Sequence, residues 1–290
     1  MRSQGYRSLL FSIHAEEHSI EEPLFSGAGS PGGGSRTSGR TVIKQISLLD
    51  DREWPTDGFG FTLPIRPESA ALVVVDVQGY VLNADGHLAH MVNRHSPELQ
   101  QGFLERAETM IGNIQRMQTA FREQGGRVVF TRHGAQLADG SDMVLRRRGR
   151  ETVARSATDD VGSHMAVNGE PAYEIDPRVE PLDGELILDK NTSSAFHSSP
   201  FDLYLRNMQV ETLVMTGVAA DQCVLATAID AADRGFHVIM ATDACENVDP
   251  GSAEATQVLF GRVWGYVMTT DDIITWLSTG EPPERTRLAV

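Results

Sequence analysis

The chain has 290 residues, 40% of them hydrophobic and 22% charged, with a formal net charge of -15. So acidic a chain lacks the basic face of a nucleic-acid binder and is not drawn to an anionic membrane. The two cysteines, Cys223 and Cys245, make neither a disulfide framework nor a cysteine-rich zinc module, and they predict a reducing, cytoplasmic setting.

Length alone allows roughly two domains, although α/β folds run to ~250 residues as one. No apolar run reaches the ~18 residues of a membrane span. Near the start, Leu9 to Ile13 is too short for a signal-peptide core, and Glu16 and Glu17 follow it. Residues 26–39 (SGAGSPGGGSRTSG) are low-complexity Gly/Ser and cannot offset their ordering entropy. Residues 1–45 are therefore read as a flexible or irregular tail, and 46–290 as one domain.

Strands and helices alternate from Ala70 onward. Ala71 to Val77 (ALVVVDV) is a β-branched run suited to a strand buried on both faces. Phe103, Ala107, Met110, Ile111, Ile114, Met117 and Phe121 keep the helical period over 103–124, and Gly125-Gly126 stops it. Arg127 to Arg132 predicts a second strand. The stretch 135–181 is long and polar, as binding loops are, and holds a basic run of Arg146, Arg147, Arg148 and Arg150. That run reads as a solvated or subunit-facing patch, the alternative being a hold on an anionic substrate.

Glu185 to Lys190 predicts the third strand, and Ser199-Pro200 the cap and first residue of a helix. A fourth strand follows at Thr212 to Gly217, then a helix over 222–234. The fifth strand is expected at His237 to Ala244, with a helix after it over 253–264. Tyr266 to Thr269 predicts a sixth strand, and 271–277 a last helix capped by Thr270. This alternation predicts a mostly parallel sheet between two layers of helices.

Sites on such sheets form beyond the carboxyl ends of the strands. Asp76 ends the first strand, Lys190 ends the third, and Cys223 opens the helix after the fourth. A thiol becomes a nucleophile on losing its proton. Lys190 and the positive end of a helix favour the thiolate, while Asp221, read as the N-cap, works slightly against it. Asp76 can take the thiol proton and pass it on, as base and then acid. Free N–H groups near Ala219 and Cys223 can form an oxyanion hole. Each residue also has a bland reading: a buried core thiol, a turn-capping carboxylate, a solvated amine.

ALVVVDVQ, LDKNTSSAF and TGVAADQCVLATAIDAADRGF, in this order, resemble the isochorismatase-like cysteine hydrolases over residues 69–277. The resemblance implies a three-layer α/β/α sandwich around a six-stranded parallel sheet. It implies a catalytic triad of Asp76, Lys190 and Cys223 acting through a covalent acyl-enzyme. A cis peptide at Val218-Ala219 is implied too, with the Ala219 and Cys223 N–H groups as oxyanion hole.

Within the family, Cys223 stands where the vinyl-ether-cleaving isochorismatases carry a small residue, which favours C–N bond hydrolysis through a thioester. The metal-binding Asp-x-His of the nicotinamidases is missing from TRHGAQ, where only His133 remains. His87, His90 and His95 read as solvated, so neither metal nor other cofactor is expected. What remains resembles the amidohydrolases of small amides and ureides: N-carbamoylsarcosine, ureidoacrylate, biuret and maleamate hydrolases. Phe196 either walls the pocket or packs. Gln78 either binds substrate or caps its strand. His133 either reads the substrate or is satisfied by backbone, and Cys245 is structural. The resemblance implies a homodimer or homotetramer. The competing readings are a vinyl-ether hydrolase and a non-catalytic interaction protein on the same fold.

Overall fold

The structure, a computed structural model, describes residues 65–83, 86, 88–89, 92, 96–148 and 166–281. The expected tail, the domain boundary at 46, Arg150 and the loop histidines His87, His90 and His95 lie outside the described residues.

Six strands form one sheet: β1 (Ala70–Val75), β2 (Arg127–His133), β3 (Leu186–Lys190), β4 (Thr212–Val218), β5 (His237–Glu246) and β6 (Tyr266–Met268). Their order is β3-β2-β1-β4-β5-β6, and every neighbouring pair is parallel. All six residues of β1 and all seven of β4 are buried, as strands covered on both faces must be. Alternate residues feed two separate cores. After the short α1 (Gly79–Leu82) comes the long α2 (Pro97–Glu123), which packs with Leu72 and Val74 on one side. Ala71, Val73 and Val75 face the other side, toward the helices that follow β3, β4 and β5. This is the expected sandwich of three layers.

The long helix α2 starts six residues before its apolar period does. Ser96 accepts from the Leu99 N–H and Pro97 follows it, so the first turn is set by capping rather than by burial. The seven apolar positions named from the period are all buried.

Three expected caps are corrected, the first two at helix starts. Ser199 caps no helix N-terminus. Ser194 caps a short turn, α3 (Ala195–Ser198), and α4 (Phe201–Asn207) starts from Pro200 with no side-chain cap. At the other end of the chain α7 (Thr270–Thr279) is capped by Thr269, whose hydroxyl accepts from the Asp272 N–H. The Asp272 carboxylate in turn accepts from the Thr269 N–H, so a reciprocal capping box outcompetes Thr270. Thr270 is instead buried, donating through its N–H and hydroxyl to Asp243 at 2.8 Å each.

Between β4 and α5 (Leu225–Asp233) the chain makes a π turn over Ala220–Val224. Ala219 stands at its N-cap, not Asp221, and contributes no side-chain bond. The remaining helix of the sheet's second layer is α6 (Pro250–Val263).

Candidate active site

The strand order reverses direction between β1 and β4, which is the topological switch point of this sheet. Register aligns the carboxyl ends there. Val75 pairs with Thr131 on one side and Gly217 on the other, and His133 pairs with Lys190. Asp76, immediately past β1, sits at a left-handed φ of 51° and donates its N–H to the Thr131 carbonyl at 3.1 Å. Gly217 has φ +104°, and a Cβ there would lie 2.1 Å from the Val75 carbonyl oxygen. Glycine is what lets β1 and β4 approach so closely at their carboxyl ends.

The Lys190 Nζ lies 2.6 Å from Asp76 Oδ2 and 3.2 Å from the Thr192 carbonyl. Asp76 Oδ1 accepts from the Thr131 hydroxyl at 2.7 Å. Lysine and aspartate are both 1% exposed, so each satisfies the other where water cannot. The Cys223 thiol completes the group and lies within side-chain hydrogen-bonding reach of both. Acid, amine and sulfur thus meet, although 114 residues separate the first two in the chain.

Their electrostatics depart from the sequence-based expectation at the sulfur. Burial pushes the Cys223 thiol up to about 11, and Asp76 adds to it, against the opposing pull of Lys190 and Arg147. The resting thiol is therefore protonated, because loss of hydration outweighs the nearby cations. On Lys190, burial works against the charge. The carboxylate of Asp76 outweighs it and raises the ammonium above its usual range.

Around this core stand groups of several kinds. Tyr80 and His133 meet through the phenol oxygen and Nδ1 at 3.5 Å. Burial and then the charge of Asp76 hold the Tyr80 phenol neutral. His133 is kept neutral as well, first by burial and then by Lys190, Arg147 and Arg146. Its Nε2 is buried with no partner. From the basic run, Arg147 is half-buried and donates to Gln222 Oε1 at 2.9 Å, beside Cys223. Arg146 reaches the Ser193 hydroxyl. The run is thus no merely solvated patch.

Two of the expected pocket residues are engaged elsewhere. The Gln78 carboxamide accepts from the His133 N–H at 2.7 Å and donates to the carbonyls of Tyr173 (2.5 Å) and His133 (3.4 Å). Both ends of its amide are occupied in stitching loops to the sheet. The Phe196 ring packs against Phe201 and Phe236, with centroids 4.9 and 6.0 Å away, and beneath the Arg234 guanidinium. These contacts are those of a packing residue. Cys245 donates its thiol to the Met215 carbonyl at 3.3 Å, inside the sheet.

Tyr80 and Thr131 were not anticipated. Thr131 carried a readable signal, a hydroxyl closing the apolar strand run VVFT that must find a buried partner. Tyr80 carried none, since its neighbours come from four segments. No group of three or more His, Cys, Asp or Glu among the described residues is placed to hold a metal ion.

The Val218-Ala219 peptide is cis. Past it, the Ala219 carbonyl accepts from the Gln222 N–H at 3.0 Å and the Val224 N–H at 3.3 Å. The π turn thus gives that carbonyl to Val224, and the Cys223 N–H does not close the usual four-residue bond.

The class this fold and site define is an open parallel α/β sheet with an acid, an amine and a thiol gathered at its switch point. The Isochorismatase domain model matches residues 70–272, and the chain belongs to that family. It is 32% identical to N-carbamoylsarcosine amidase of Arthrobacter sp over 177 residues, 59% of this chain and 62% of the relative. The chain thus spans less than two thirds of that relative's length. Ureidoacrylate amidohydrolase RutB of Variovorax paradoxus (strain S110) is 28% identical over 227 residues, 73% of this chain and 85% of the relative. Among solved structures, a cysteine hydrolase from Pseudomonas syringae pv. phaseolicola 1448A superposes with a TM-score of 0.62 at 22% identity. That likeness covers 76% of this chain and 97% of the other, and it speaks to the fold.

Proposed function

We propose that the chain hydrolyses a C–N bond of a small amide or ureide through a thioester on Cys223. The observation that carries this reading is the Asp76–Lys190 pair at 2.6 Å with the Cys223 thiol against it. The names of the two curated relatives, an amidase and an amidohydrolase, support the same bond type.

In this reading the substrate carbonyl oxygen faces the Ala219 and Cys223 N–H groups. Cys223 is protonated at rest, so Asp76 takes its proton as the sulfur attacks. An S–C bond forms and the carbonyl electrons move onto oxygen, where the two N–H groups stabilise them. Asp76 then gives the proton to nitrogen, the C–N bond breaks, and ammonia or an amine leaves. A water, deprotonated by Asp76, attacks the thioester; the C–S bond breaks and the sulfur recovers a proton. Lys190 holds the Asp76 side chain in place throughout. Every proton is returned, and the cycle needs no cofactor. Homodimeric or homotetrameric assembly belongs to the same reading and is measured by sedimentation.

The test is ammonia release from a panel of small amides and N-carbamoyl compounds, with mass spectrometry of Cys223 during turnover. Cys223→Ala and Asp76→Asn are each expected to lower kcat by about 10⁴-fold or more. Retained turnover in either variant overturns the mechanism. Turnover of isochorismate with no adduct on Cys223 would replace it by vinyl-ether hydrolysis.

A further inference from the structure

The charges around the thiol nearly cancel. Asp76 is matched by Lys190, and Tyr80, His133 and the resting Cys223 thiol are all uncharged. Arg147 is the exception. Its Nη2 is bound to a neutral carboxamide, Gln222 Oε1, at 2.9 Å. Its Nε is buried and has no partner. None of the ion pairs among the described residues gives it a carboxylate, although Arg122, Arg132 and Arg178 each hold one.

A guanidinium carries five donors in a planar fork and is stable out of water only when an anion or acceptors meet that fork. Arg147 is close enough to Cys223 to act on its thiol, and its charge also reaches Tyr80 and His133. The His133 Nε2, buried and without a partner, is a further unfilled polar position in the same surroundings. A chain of net charge -15 repels anions at long range, so an anionic ligand would need a local cation at its seat.

We propose that Arg147 is a specificity-determining residue that anchors a carboxylate on the substrate, so that the site takes an anionic amide or ureide in preference to a neutral one. This rests on the hydrolase reading of the same site. The carboxylate takes up the donors that Gln222 leaves unpaired, as guanidinium groups meet carboxylates generally. Gln222 holds Nη2, fixing the arginine relative to Cys223. The carboxylate is then the second point of recognition, set apart from the carbonyl that the sulfur attacks. The covalent steps are unchanged.

The experiment compares kcat/KM for N-carbamoylglycine and for its uncharged carboxamide. The wild type is expected to favour the acid. Arg147→Gln should cut the acid-to-amide ratio by roughly 10- to 100-fold, the range of a charge-assisted hydrogen bond, and Arg147→Lys should keep part of it. An arginine serving only as a latch on Gln222 would lower both substrates alike and leave the ratio unmoved, which overturns the proposal. A wild type with no preference for the acid overturns it too.

A second measurement needs no turnover. Succinate should raise the melting temperature of the wild type and not that of Arg147→Gln. Equal shifts in the two proteins, or none in the wild type, count against the anchor. Failure of the hydrolase reading looks different: no ammonia from either compound and no adduct on Cys223, with the succinate shift still deciding on Arg147.

Discussion

At Cys223 two effects of opposite sign meet. Lys190 and Arg147 pull the thiol toward ionisation, while burial at 5% exposure and the Asp76 carboxylate push the other way and prevail. The consequence is measurable. Alkylation of Cys223 by iodoacetamide, read on its own peptide, should rise with pH toward a midpoint near 11 instead of the ordinary 9.0. Stability follows the same shift. Between about pH 9 and 11 the unfolded chain has lost a proton that the folded thiol retains, so folding weakens as pH rises through that window. Below 9 both states keep the proton and this contribution is flat. Urea titrations of wild type and Cys223→Ala across pH 8–11 should differ in slope only in the window. A midpoint below 9 would mean that the cations win over burial.

Two glycines separate sequence composition from backbone demand among the elements. At Gly217 the left-handed backbone and the 2.1 Å approach of a Cβ to the Val75 carbonyl oxygen leave no room for a side chain. Gly217→Ala should cost about 3 kcal/mol or more, because strain and overpacking add. It should also lower turnover, since β1 and β4 carry Asp76 and the Cys223 turn. Gly112 in α2 has open space where its Cβ would be, and Gly112→Ala should stabilise by about 0.5–1 kcal/mol by helix propensity alone. Denaturant midpoints of the two variants check both signs. The elements were legible for the same reason that Gly112 is replaceable: periodicity and propensity are local. Their ends were less so. The first turn of α2 and the start of α7 are set by Ser96 and by the Thr269–Asp272 exchange, which an apolar period does not register. The π turn was unreadable, because its hydrogen bonds differ from an α-helix by one residue while its side chains do not announce the change.

Across the molecule, the Asp76–Lys190 pair ties the end of β1 to the end of β3, two strands apart in the sheet. Both partners are sealed from water, so removing one strands the other. Lys190→Met should cost roughly 3–5 kcal/mol in urea unfolding. The double variant Asp76→Asn, Lys190→Met should lose clearly less than the sum of the two single changes, because no lone charge is then left buried. Additive losses would show that the two groups do not depend on each other for their burial.

The order of strands and helices, the buried faces of β1 and α2, and the residue types at the strand ends were all determined by the sequence alone. These follow from side-chain pattern over a few residues, and the three quoted motifs singled out Asp76, Lys190 and Cys223 among many candidates. Tertiary structure decided the rest. It turned Gln78 into a stitch between loops and Phe196 into packing, brought Tyr80 and Thr131 to the site, and carried Arg147 from a polar loop to the side of Gln222. It also set the protonation of the sulfur. Hydration and charge act through space and depend on which distant segments exclude water, so no local stretch of the chain encodes them.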